Sequence, residues 1–248
     1  MTTTASTTAV ILAAGKGTRM GSDLAKVLHP LQGRSLVRHV IGHCNNAGID
    51  DVVCVVGHQR QAVEAEVAPL GARCVVQEQQ LGTGHAVLVS EPAVAGDTVV
   101  VLCGDAPLVD GQLLRRLLQH HQQTGASATA VAADMADPTG YGRMITDAQG
   151  NLQHIVEQRD ATPEQAAITR INSGIFAFRR DRLYALLHDL RPENAQGEYY
   201  LTDVPKMLAA AGETVAMILA DDPTSVLGIN TPEHLAEAEK ILVARSPS

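Results

Sequence analysis

The sequence of 248 residues is poor in aromatic side chains, with no tryptophan, four tyrosines and two phenylalanines. Proteins that bind single-stranded nucleic acid stack the bases on such side chains, so this scarcity argues against a base-stacking surface. A basic footprint is missing as well, because the net charge is -8 and the pI about 5.6. Non-specific nucleic-acid binding needs such a footprint. We therefore expect no nucleic-acid partner.

Cysteine is also scarce, and the four residues (Cys44, Cys54, Cys74 and Cys103) form no C-x-x-C pair. This absence argues against a zinc knuckle and against a thioredoxin-type redox motif. Several of them lie in apolar runs, which is typical of buried thiols in a reducing compartment. The sequence contains no run of 18 apolar residues, and its polar start lacks the basic and apolar regions of a signal peptide. We expect a cytoplasmic protein that makes no contact with a membrane.

Short apolar runs alternate with helical patterns through the first half of the chain. The predicted strands cover 9–13, 51–56, 74–76, 98–102 and 127–133, and the predicted helices cover 35–47, 59–67, 83–89 and 110–123. The connections are short, which predicts a largely parallel sheet with helices on both faces. Ligands of such sheets bind at the carboxyl ends of the strands.

The second half of the chain reads differently. A hairpin is predicted from 142–146 and 151–156, strands from 170–178 and 214–219, and helices from 180–190, 202–211 and 231–245. The last helix has a favourable start, because Thr231 is followed by a proline and a glutamate.

A glycine-rich loop follows the first predicted strand, at 12–20, and a second polar segment at 22–26 continues it. Glycines after a strand let backbone amides approach a phosphate, and Arg19 and Lys26 add two cations. The loop is not a dinucleotide fingerprint, since Met20 occupies the third glycine position, and the chain contains no P-loop string. The interpretations that remain are a phosphate-binding loop of another class and a plain turn with solvated basic residues.

Three further segments carry polar groups suited to a nucleotide. Gln77 ends a predicted strand, where its carboxamide can pair with a base edge, and residues 82–84 open a helix with free amides. Asp105 follows a strand at the carboxyl edge, which suits Mg²⁺, an ion that binds few protein oxygens and completes its shell with phosphates. A turn or N-cap role for Asp105 is the alternative. Asn230 is either a second metal ligand or an ordinary polar residue before the last helix.

Taken together, these segments resemble the sugar nucleotidylyltransferase superfamily, and within it most closely the N-acetylglucosamine-1-phosphate uridylyltransferases that form one half of a bifunctional bacterial enzyme. The strings that carry the resemblance occur in order along nearly the whole chain: LAAGKGTRM, SDL-x-K, QLGTGHA, GD-x-PL, DPTGYGR, IVEQ-x-DAT, IN-x-GI and N-x-QGEYYLTD. The fold it implies is a Rossmann-like three-layer α/β sandwich with a mostly parallel mixed sheet and a small β-hairpin insertion for the sugar. We expect one domain, 1–248, with a nucleotide-binding half at about 9–133, a sugar-binding half at about 134–230 and a C-terminal helix at 231–245.

The resemblance also implies a reaction: Mg²⁺-dependent transfer of a uridylyl group from UTP to N-acetylglucosamine 1-phosphate, with release of pyrophosphate, for cell-envelope precursor synthesis. The implied catalytic residues are Arg19 and Lys26, and the implied metal ligands are Asp105 and Asn230. The implied nucleotide-binding residues are Leu12, Ala13, Ala14, Gly15, Gln77, Gly82 and Thr83. The implied sugar-binding residues are Cys103, Gly104, Gly142, Glu157, Asn172, Tyr200 and Thr202.

The sequence departs from the family's pattern at three positions. Cys103 stands where tyrosine is usual before the Gly-Asp pair, Ala25 stands where proline is usual in the S-D-L-P-K run, and Ser173 stands where threonine is commoner. None of these changes removes a charged group. The shape of the sugar side is where Cys103 is expected to matter.

The bifunctional relatives continue into a β-helix of hexapeptide repeats, and nothing in this sequence resembles such repeats. We therefore expect no acetyl transfer, and a monomer or weak oligomer. A single-function protein and one part of a longer protein both fit this length.

Other functions are compatible with parts of the pattern. The same reaction on another sugar 1-phosphate or with another nucleotide is the nearest alternative. A non-catalytic nucleotide-binding regulatory module is a second, against which the intact Arg19, Lys26, Asp105 and Asn230 argue. A dinucleotide-dependent oxidoreductase is a third, weakened by the missing third glycine.

Overall fold

The computed structural model describes residues 6–148 and 150–245. Its strands are β1 (Thr7–Ala13), β2 (Pro30–Leu31), β3 (Arg34–Ser35), β4 (Asp51–Val56), β5 (Arg73–Val76), β6 (Thr98–Cys103), β7 (Ala128–Asp134), β8 (Gly142–Thr146), β9 (Leu152–Val156), β10 (Arg170–Arg179) and β11 (Val215–Leu219). Its α-helices are α1 (Leu36–Asn46), α2 (Arg60–Val67), α3 (Thr83–Leu88), α4 (Gly111–Thr124), α5 (Pro163–Ala166), α6 (Arg180–Leu187), α7 (Val204–Ala210) and α8 (Pro232–Arg245).

Nine of the strands form one mixed sheet, whose main path runs in the order β11-β7-β10-β6-β1-β4-β5. Every pairing along this path is parallel except the two made by β10, which runs antiparallel to both β6 and β7. The hairpin of β8 and β9 joins the sheet where β8 pairs with the start of β10. The prediction of a mostly parallel mixed sheet with a hairpin insertion is confirmed.

Alternation along the central strand separates two layers of helices. Ala9, Ile11 and Ala13 of β1 are buried with α1, α2 and α4, whereas Val10 is buried on the opposite face with α3, α6 and α7. Successive side chains of a strand point to opposite faces, so a continuous apolar run is the pattern of a strand covered on both sides. The three-layer arrangement follows from that pattern. Helix α8 instead packs against a small cluster around Met20, Leu31, Leu36 and Leu108.

The carboxyl ends of the parallel strands β1, β4, β5 and β6 meet at one edge of the sheet. The loops that follow them pack closely there: a Cβ on Gly57 would lie 2.7 Å from Nε2 of Gln80 and 3.0 Å from Cβ of Ala14. The amide end of Gln80 can move aside, but the contact with Ala14 is tighter than most Cβ contacts, so glycine favours this close packing. The predicted ligand segments after β1, β5 and β6 are thereby brought to one place.

Several boundaries differ from those expected. The helix expected at 180–190 ends at Leu187, and the one expected at 202–211 begins as a 3₁₀ turn at Leu201–Asp203 before α7. Pro205 explains the second difference, because proline lacks an N–H and is tolerated only in the first turn of an α-helix. The β2–β3 hairpin and α5 were not predicted, although Thr162 and Gln165 form a capping box at the start of α5.

Within the described part of the chain, no helix combines the length and the apolar character that crossing a bilayer requires.

Candidate active site

Two cations and two oxygen ligands from separate segments converge beyond the end of β6. The ammonium group of Lys26 forms an ion pair with Oδ2 of Asp105, and its Nζ lies 3.1 Å from Oδ1 of Asn230. Arg19 donates to the same Asn230 oxygen at 2.9 Å. The four residues predicted to be catalytic or metal-binding therefore form one connected group.

The oxygen ligands are positioned by contacts of the turn after β6 and of the loop before α8. The N–H of Ile229 donates to the carbonyl oxygen of Asp105 at 2.8 Å, which ties the two segments together. The Asn230 side chain donates to the carbonyl of Gly228 at 3.2 Å, so its amide nitrogen is used within the protein. Its carbonyl oxygen is the atom that faces the cations.

The glycine-rich loop lies directly against Lys26. Gly17 adopts a left-handed conformation with φ of 67°, and a Cβ there would lie 2.5 Å from Cβ of Lys26. Both the conformation and the contact require glycine. This glycine is therefore needed for packing the loop against the cation.

A cavity of about 280 Å³, here called the loop cavity, lies between the glycine-rich loop and the start of α3. Its lining includes all seven residues predicted to bind the nucleotide: Leu12, Ala13, Ala14, Gly15, Gln77, Gly82 and Thr83. Lys26, Cys103 and Asp105 line it as well. Four lining residues were not predicted to contact the nucleotide: Val27, Gln80, Ala86 and Glu198. They occur in or beside the quoted strings, but nothing in their residue types pointed to a ligand.

Gln77 is held in one orientation on the wall of the loop cavity. Only 3% of its surface is exposed, and its Nε2 donates to the carbonyl of Gly82 at 3.2 Å. The same nitrogen lies 2.9 Å from Nδ1 of His85, and burial lowers the pKa of His85, which favours the neutral imidazole that can accept there. The amide nitrogen of Gln77 is thus engaged by the protein.

A second cavity of about 210 Å³, here called the hairpin cavity, lies beside β8 and the end of β9. Five of the seven predicted sugar-binding residues line it: Cys103, Gly142, Glu157, Asn172 and Thr202. Leu12, Thr83, Cys103 and Asp105 line both cavities. The two cavities therefore adjoin, and Asp105 stands at their boundary.

Strand pairing places three of these residues in one row. Asn172 of β10 pairs with Gly142 of β8, and a Cβ on Gly142 would lie 3.5 Å both from Cβ of Asn172 and from Oε2 of Glu157. Glycine in the middle strand leaves space between the two polar side chains. Thr202 donates to Oε1 of Glu157 at 2.9 Å, and burial raises the pKa of Glu157 above its ordinary value.

Two predicted sugar-binding residues lie outside the cavity lining. Tyr200 is 6% exposed, and its hydroxyl accepts a hydrogen bond from Gln196 at 2.5 Å. Gly104 donates through its backbone to the carbonyl of Leu12 at 2.9 Å, a contact that holds the ends of β1 and β6 together. Tyr200 is the neighbour of Leu201 and Thr202, which do line the hairpin cavity.

Tyr141 was not predicted to contact a ligand, yet it lines the hairpin cavity. Its hydroxyl accepts a hydrogen bond from the N–H of Gly228 at 3.4 Å, so it connects the hairpin to the loop that carries Asn230. The signal was present in the string DPTGYGR, where an aromatic residue stands between two glycines.

Cys103 fills the position where the family usually has tyrosine. Burial raises the pKa of its thiol to about 12, which excludes a thiolate nucleophile near neutral pH. Gly174, with φ of 77°, lies at a register shift in β10, and a Cβ on it would lie 3.1 Å from Sγ of Cys103. The irregular part of β10 therefore approaches the thiol closely.

The oxygen pair of Asp105 and Asn230 fits the requirements of Mg²⁺. Both oxygens contact the same ammonium group of Lys26, so both can reach a single cation. Mg²⁺ takes one or two protein oxygens and fills the rest of its shell with water and phosphates. Among residues 6–148 and 150–245, no group of three or more His, Cys, Asp or Glu side chains could hold a metal, so a site of the structural zinc type is not built there.

Residues 9–199, which include the whole loop cavity, match the model of the MobA-like NTP transferase domain. The chain belongs to this family. The prediction that it is a nucleotidyltransferase is thereby confirmed. The family's defining segment covers the glycine-rich loop, Asp105 and the row formed by Gly142, Glu157 and Asn172.

Curated relatives extend the similarity beyond that segment. The chain is 45% identical over 238 residues to the bifunctional protein GlmU of Desulfotalea psychrophila, covering 95% of this chain and 70% of that protein. It is 45% identical over 238 residues to the bifunctional protein GlmU of Syntrophomonas wolfei, covering 96% of this chain and 53% of that protein. The chain thus spans about half the length of some of the relatives it matches. The resemblance stated from the sequence strings is confirmed.

The fold is also that of a solved structure with little sequence similarity. A UDP-glucose pyrophosphorylase complexed with UDP-glucose superimposes with a TM-score of 0.77 at 17% identity, covering 97% of this chain and 100% of that one. At this identity the likeness supports the fold alone, and it confirms the Rossmann-like architecture.

Proposed function

We propose that the chain transfers a uridylyl group from UTP to N-acetylglucosamine 1-phosphate, giving UDP-N-acetylglucosamine and pyrophosphate. The observation that carries the proposal is the pair of adjoining cavities with Asp105 at their boundary and Lys26 beside it. A nucleotide in the loop cavity and a sugar phosphate in the hairpin cavity would meet at that boundary. The 45% identity to proteins named GlmU supports the same reaction class.

The chemistry requires positioning and charge stabilisation rather than a general base. A sugar phosphate is already anionic at neutral pH, so the nucleophile needs no proton removed. The barrier comes from bringing two anions together and from charge that builds up at the α-phosphate. Lys26 lines the loop cavity and would stabilise the reacting phosphates, and the exposed Arg19 would stabilise the departing pyrophosphate.

Asp105 and Asn230 would hold Mg²⁺, which when bound neutralises phosphate charge and favours attack at the α-phosphate. The protein's own contribution is to fix both oxygens in advance. The backbone contact from Ile229 to Asp105 and the amide contact from Asn230 to Gly228 do this before any substrate arrives. Such preorganisation lowers the cost of assembling the charged complex.

Discrimination for uracil is assigned to the wall of the loop cavity. The amide nitrogen of Gln77 is engaged by Gly82 and His85, which leaves its carbonyl oxygen as the group suited to accept from a pyrimidine N–H. The backbone at Gly82 and Thr83 opens α3 and supplies donors for the base oxygens. This arrangement favours uracil over cytosine, which has no N3–H.

Discrimination for the sugar is assigned to the row in the hairpin cavity. Glu157 accepts hydrogen bonds and suits sugar hydroxyl donors, while Asn172 can both donate to and accept from an acetamido group. Thr202 orients Glu157 through its hydroxyl. Contacts of Gly104 and Tyr200 with the sugar remain predictions, with Tyr200 acting through the neighbouring cavity wall.

The remaining expectations accompany this proposal as predictions. They are a division near residues 133 and 230 into nucleotide, sugar and C-terminal helix parts, a cytoplasmic location, no nucleic-acid or membrane partner, and a monomer or weak oligomer.

The proposal is tested by pyrophosphate release with UTP, Mg²⁺ and one of three sugar 1-phosphates: N-acetylglucosamine, N-acetylgalactosamine or glucose. We expect release that depends on the N-acetylglucosamine compound. Release with glucose 1-phosphate alone would keep the reaction and overturn the sugar assignment. No release with any of the three, under conditions where UTP still binds, would favour the non-catalytic nucleotide-binding module.

A further inference from the structure

The segment that carries Lys26 is held by a side chain that lies outside both cavities. Gln59, the residue before α2, accepts a hydrogen bond from the N–H of Ala25 through Oε1 at 2.9 Å. Its Nε2 donates to the backbone carbonyl of Asp23. One carboxamide therefore binds two backbone groups of the segment immediately before Lys26.

The backbone of Gln59 is itself unusual. Its φ of 50° and ψ of 38° lie in the left-handed region, which residues other than glycine rarely adopt. Strain of this kind persists only where the surrounding structure imposes it, and it is concentrated at functional sites. The strained residue here lies two positions after Gly57, in the loop that packs against the glycine-rich loop.

Ala25 depends on this contact more than an exposed residue would. It is completely buried, so without Gln59 its N–H would lose a partner in a place that water does not reach. Its φ of -53° is the value that a proline ring imposes. Proline, the residue usual at this position in the family, has no N–H to satisfy and needs no outside restraint. In this chain an alanine takes the same conformation and a glutamine supplies the hydrogen bond.

We propose that Gln59 is a positioning residue for the transfer reaction. Its carboxamide fixes the backbone of residues 23–25, in place of a proline ring, so that Lys26 reaches Asp105 and Asn230. The inference rests on the proposed function in one respect, since it is the role of Lys26 in turnover that makes its position matter.

The first variant is Gln59→Gly, which removes the carboxamide and tolerates the left-handed backbone, because glycine adopts it without strain. We expect kcat to fall about tenfold, the effect of losing a part-buried hydrogen bond that positions a reacting group. The KM for the sugar phosphate should stay within about twofold of wild type, because none of the hairpin cavity's contacts changes.

Gln32→Gly is the matched control. Gln32 is also an exposed glutamine with a left-handed backbone, with φ of 48°, and it lies in the turn between β2 and β3. This variant should turn over as wild type does and melt at about the wild-type temperature. Gln59→Gly should melt only a few degrees lower, because relief of its left-handed strain partly offsets the lost partner of the Ala25 N–H. Melting of Gln59→Gly well below wild type would assign the residue to stability instead and overturn the proposal.

Rescue provides the second test. Adding Ala25→Pro to Gln59→Gly restores the φ restraint and removes the unsatisfied N–H, so kcat should return to within about threefold of wild type. Failure of the proline to restore kcat would overturn the claim that Gln59 replaces a proline's restraint.

Hydrogen exchange separates this inference from the proposed function. In the substrate-free protein, the Ala25 amide should exchange at least about tenfold faster in Gln59→Gly than in wild type, as followed by NMR. If wild type makes no UDP-sugar, the proposed function fails while the exchange result still decides whether Gln59 holds the segment. Unchanged exchange, or unchanged kcat in an active enzyme, overturns the proposal.

Discussion

Lys26 is the residue on which the proposed chemistry depends most directly, because its ammonium group contacts both proposed metal ligands. The resemblance carried by the string SDL-x-K implied its catalytic role, whereas the glycine-rich loop by itself left open a plain turn with solvated basic residues. The contact with Asn230, 204 residues away in sequence, could not be predicted from local pattern. The positioning role of Gln59 could not be predicted from local pattern either, because it depends on a backbone conformation and on a hydrogen-bond partner in another segment.

Replacing Lys26 by alanine is expected to lower kcat by about 100-fold or more, by analogy with removal of one transition-state donor. Pyrophosphate release measures this directly. Lys240→Ala is the control, since Lys240 is an exposed residue of α8 paired with Glu237. Near-normal turnover of the Lys26 variant would remove this residue from the mechanism.

Glu157→Gln is expected to raise the KM for the sugar phosphate roughly tenfold with little change in kcat, because a charged acceptor is lost from the sugar side alone. The wild-type KM should also rise as the pH falls through the raised pKa of Glu157, where the carboxylate takes up a proton. The variant should lack that part of the pH dependence. Because both enzymes receive the same substrate, its own ionisation cancels in the comparison.

Ionisation of Glu157 is expected to favour sugar binding but to lower the stability of the fold. The folded protein holds the proton of Glu157 more tightly than the unfolded chain does, so ionisation lowers the free energy of unfolding as the pH rises through the raised pKa. Glu157→Gln should therefore be at least as stable as wild type at pH 7. A variant that is destabilised there would show that the charge stabilises the fold.

The limits of helices and strands were predicted well where local sequence alone determines them. The limits of β4 agree with the expected 51–56, and α1 and α2 lie within about two residues of expectation, because periodicity and flanking turn residues are local signals. The direction of β10 was beyond the same reasoning, since an apolar run pairs equally well either way. Its register shift beside Cys103 depends on long-range packing as well.

The start of α3 shows how a single glycine connects two elements. Gly82 has φ of 114°, and a Cβ on it would lie 2.6 Å from the carbonyl oxygen of Tyr199. Tyr199 donates to the carbonyl of Leu81 at 2.8 Å and accepts from Gly84 at 2.7 Å. The segment leading to Thr202 is thereby attached to the loop cavity through backbone contacts, and the Thr83 hydroxyl adds another by accepting from the N–H of Leu201 at 3.0 Å.

Gly82→Ala is expected to lower the free energy of unfolding by about 2 kcal/mol or more and to raise the KM for UTP. Alanine is strained at this positive φ, and its Cβ would collide with the carbonyl oxygen of Tyr199. Gly42→Ala is its counterpart within α1, where a Cβ would meet nothing within 4 Å. That variant should be more stable than wild type by about 0.5–1 kcal/mol, since alanine favours a helix over glycine. Urea unfolding of both variants checks the pair, and equal effects would contradict this account of Gly82.

At the scale of the whole molecule, the parallel strands form one cavity and the hairpin forms the other, and the two cavities adjoin at Asp105. Strands β1, β5 and β6 end at the loop cavity, whereas β8, β9 and β10 supply the row in the hairpin cavity. The sheet is continuous between them through the pairing of β10 with β6. A rigid sheet of this kind can hold two anionic substrates at a fixed separation, which is the main requirement of the proposed reaction.

The most direct test of the account is the rate of UDP-N-acetylglucosamine formation by Asp105→Asn, which keeps the side chain's size and removes its charge. We predict that the variant's rate is about 100-fold or more below that of wild type. EDTA should lower the wild-type rate to a similar level and should lower the variant's rate little further. Asp134→Asn, which changes an exposed carboxylate paired with Arg170 at the end of β7, should retain wild-type turnover. Near-normal, EDTA-sensitive turnover of Asp105→Asn would contradict the claim that the boundary between the two cavities is the reaction centre.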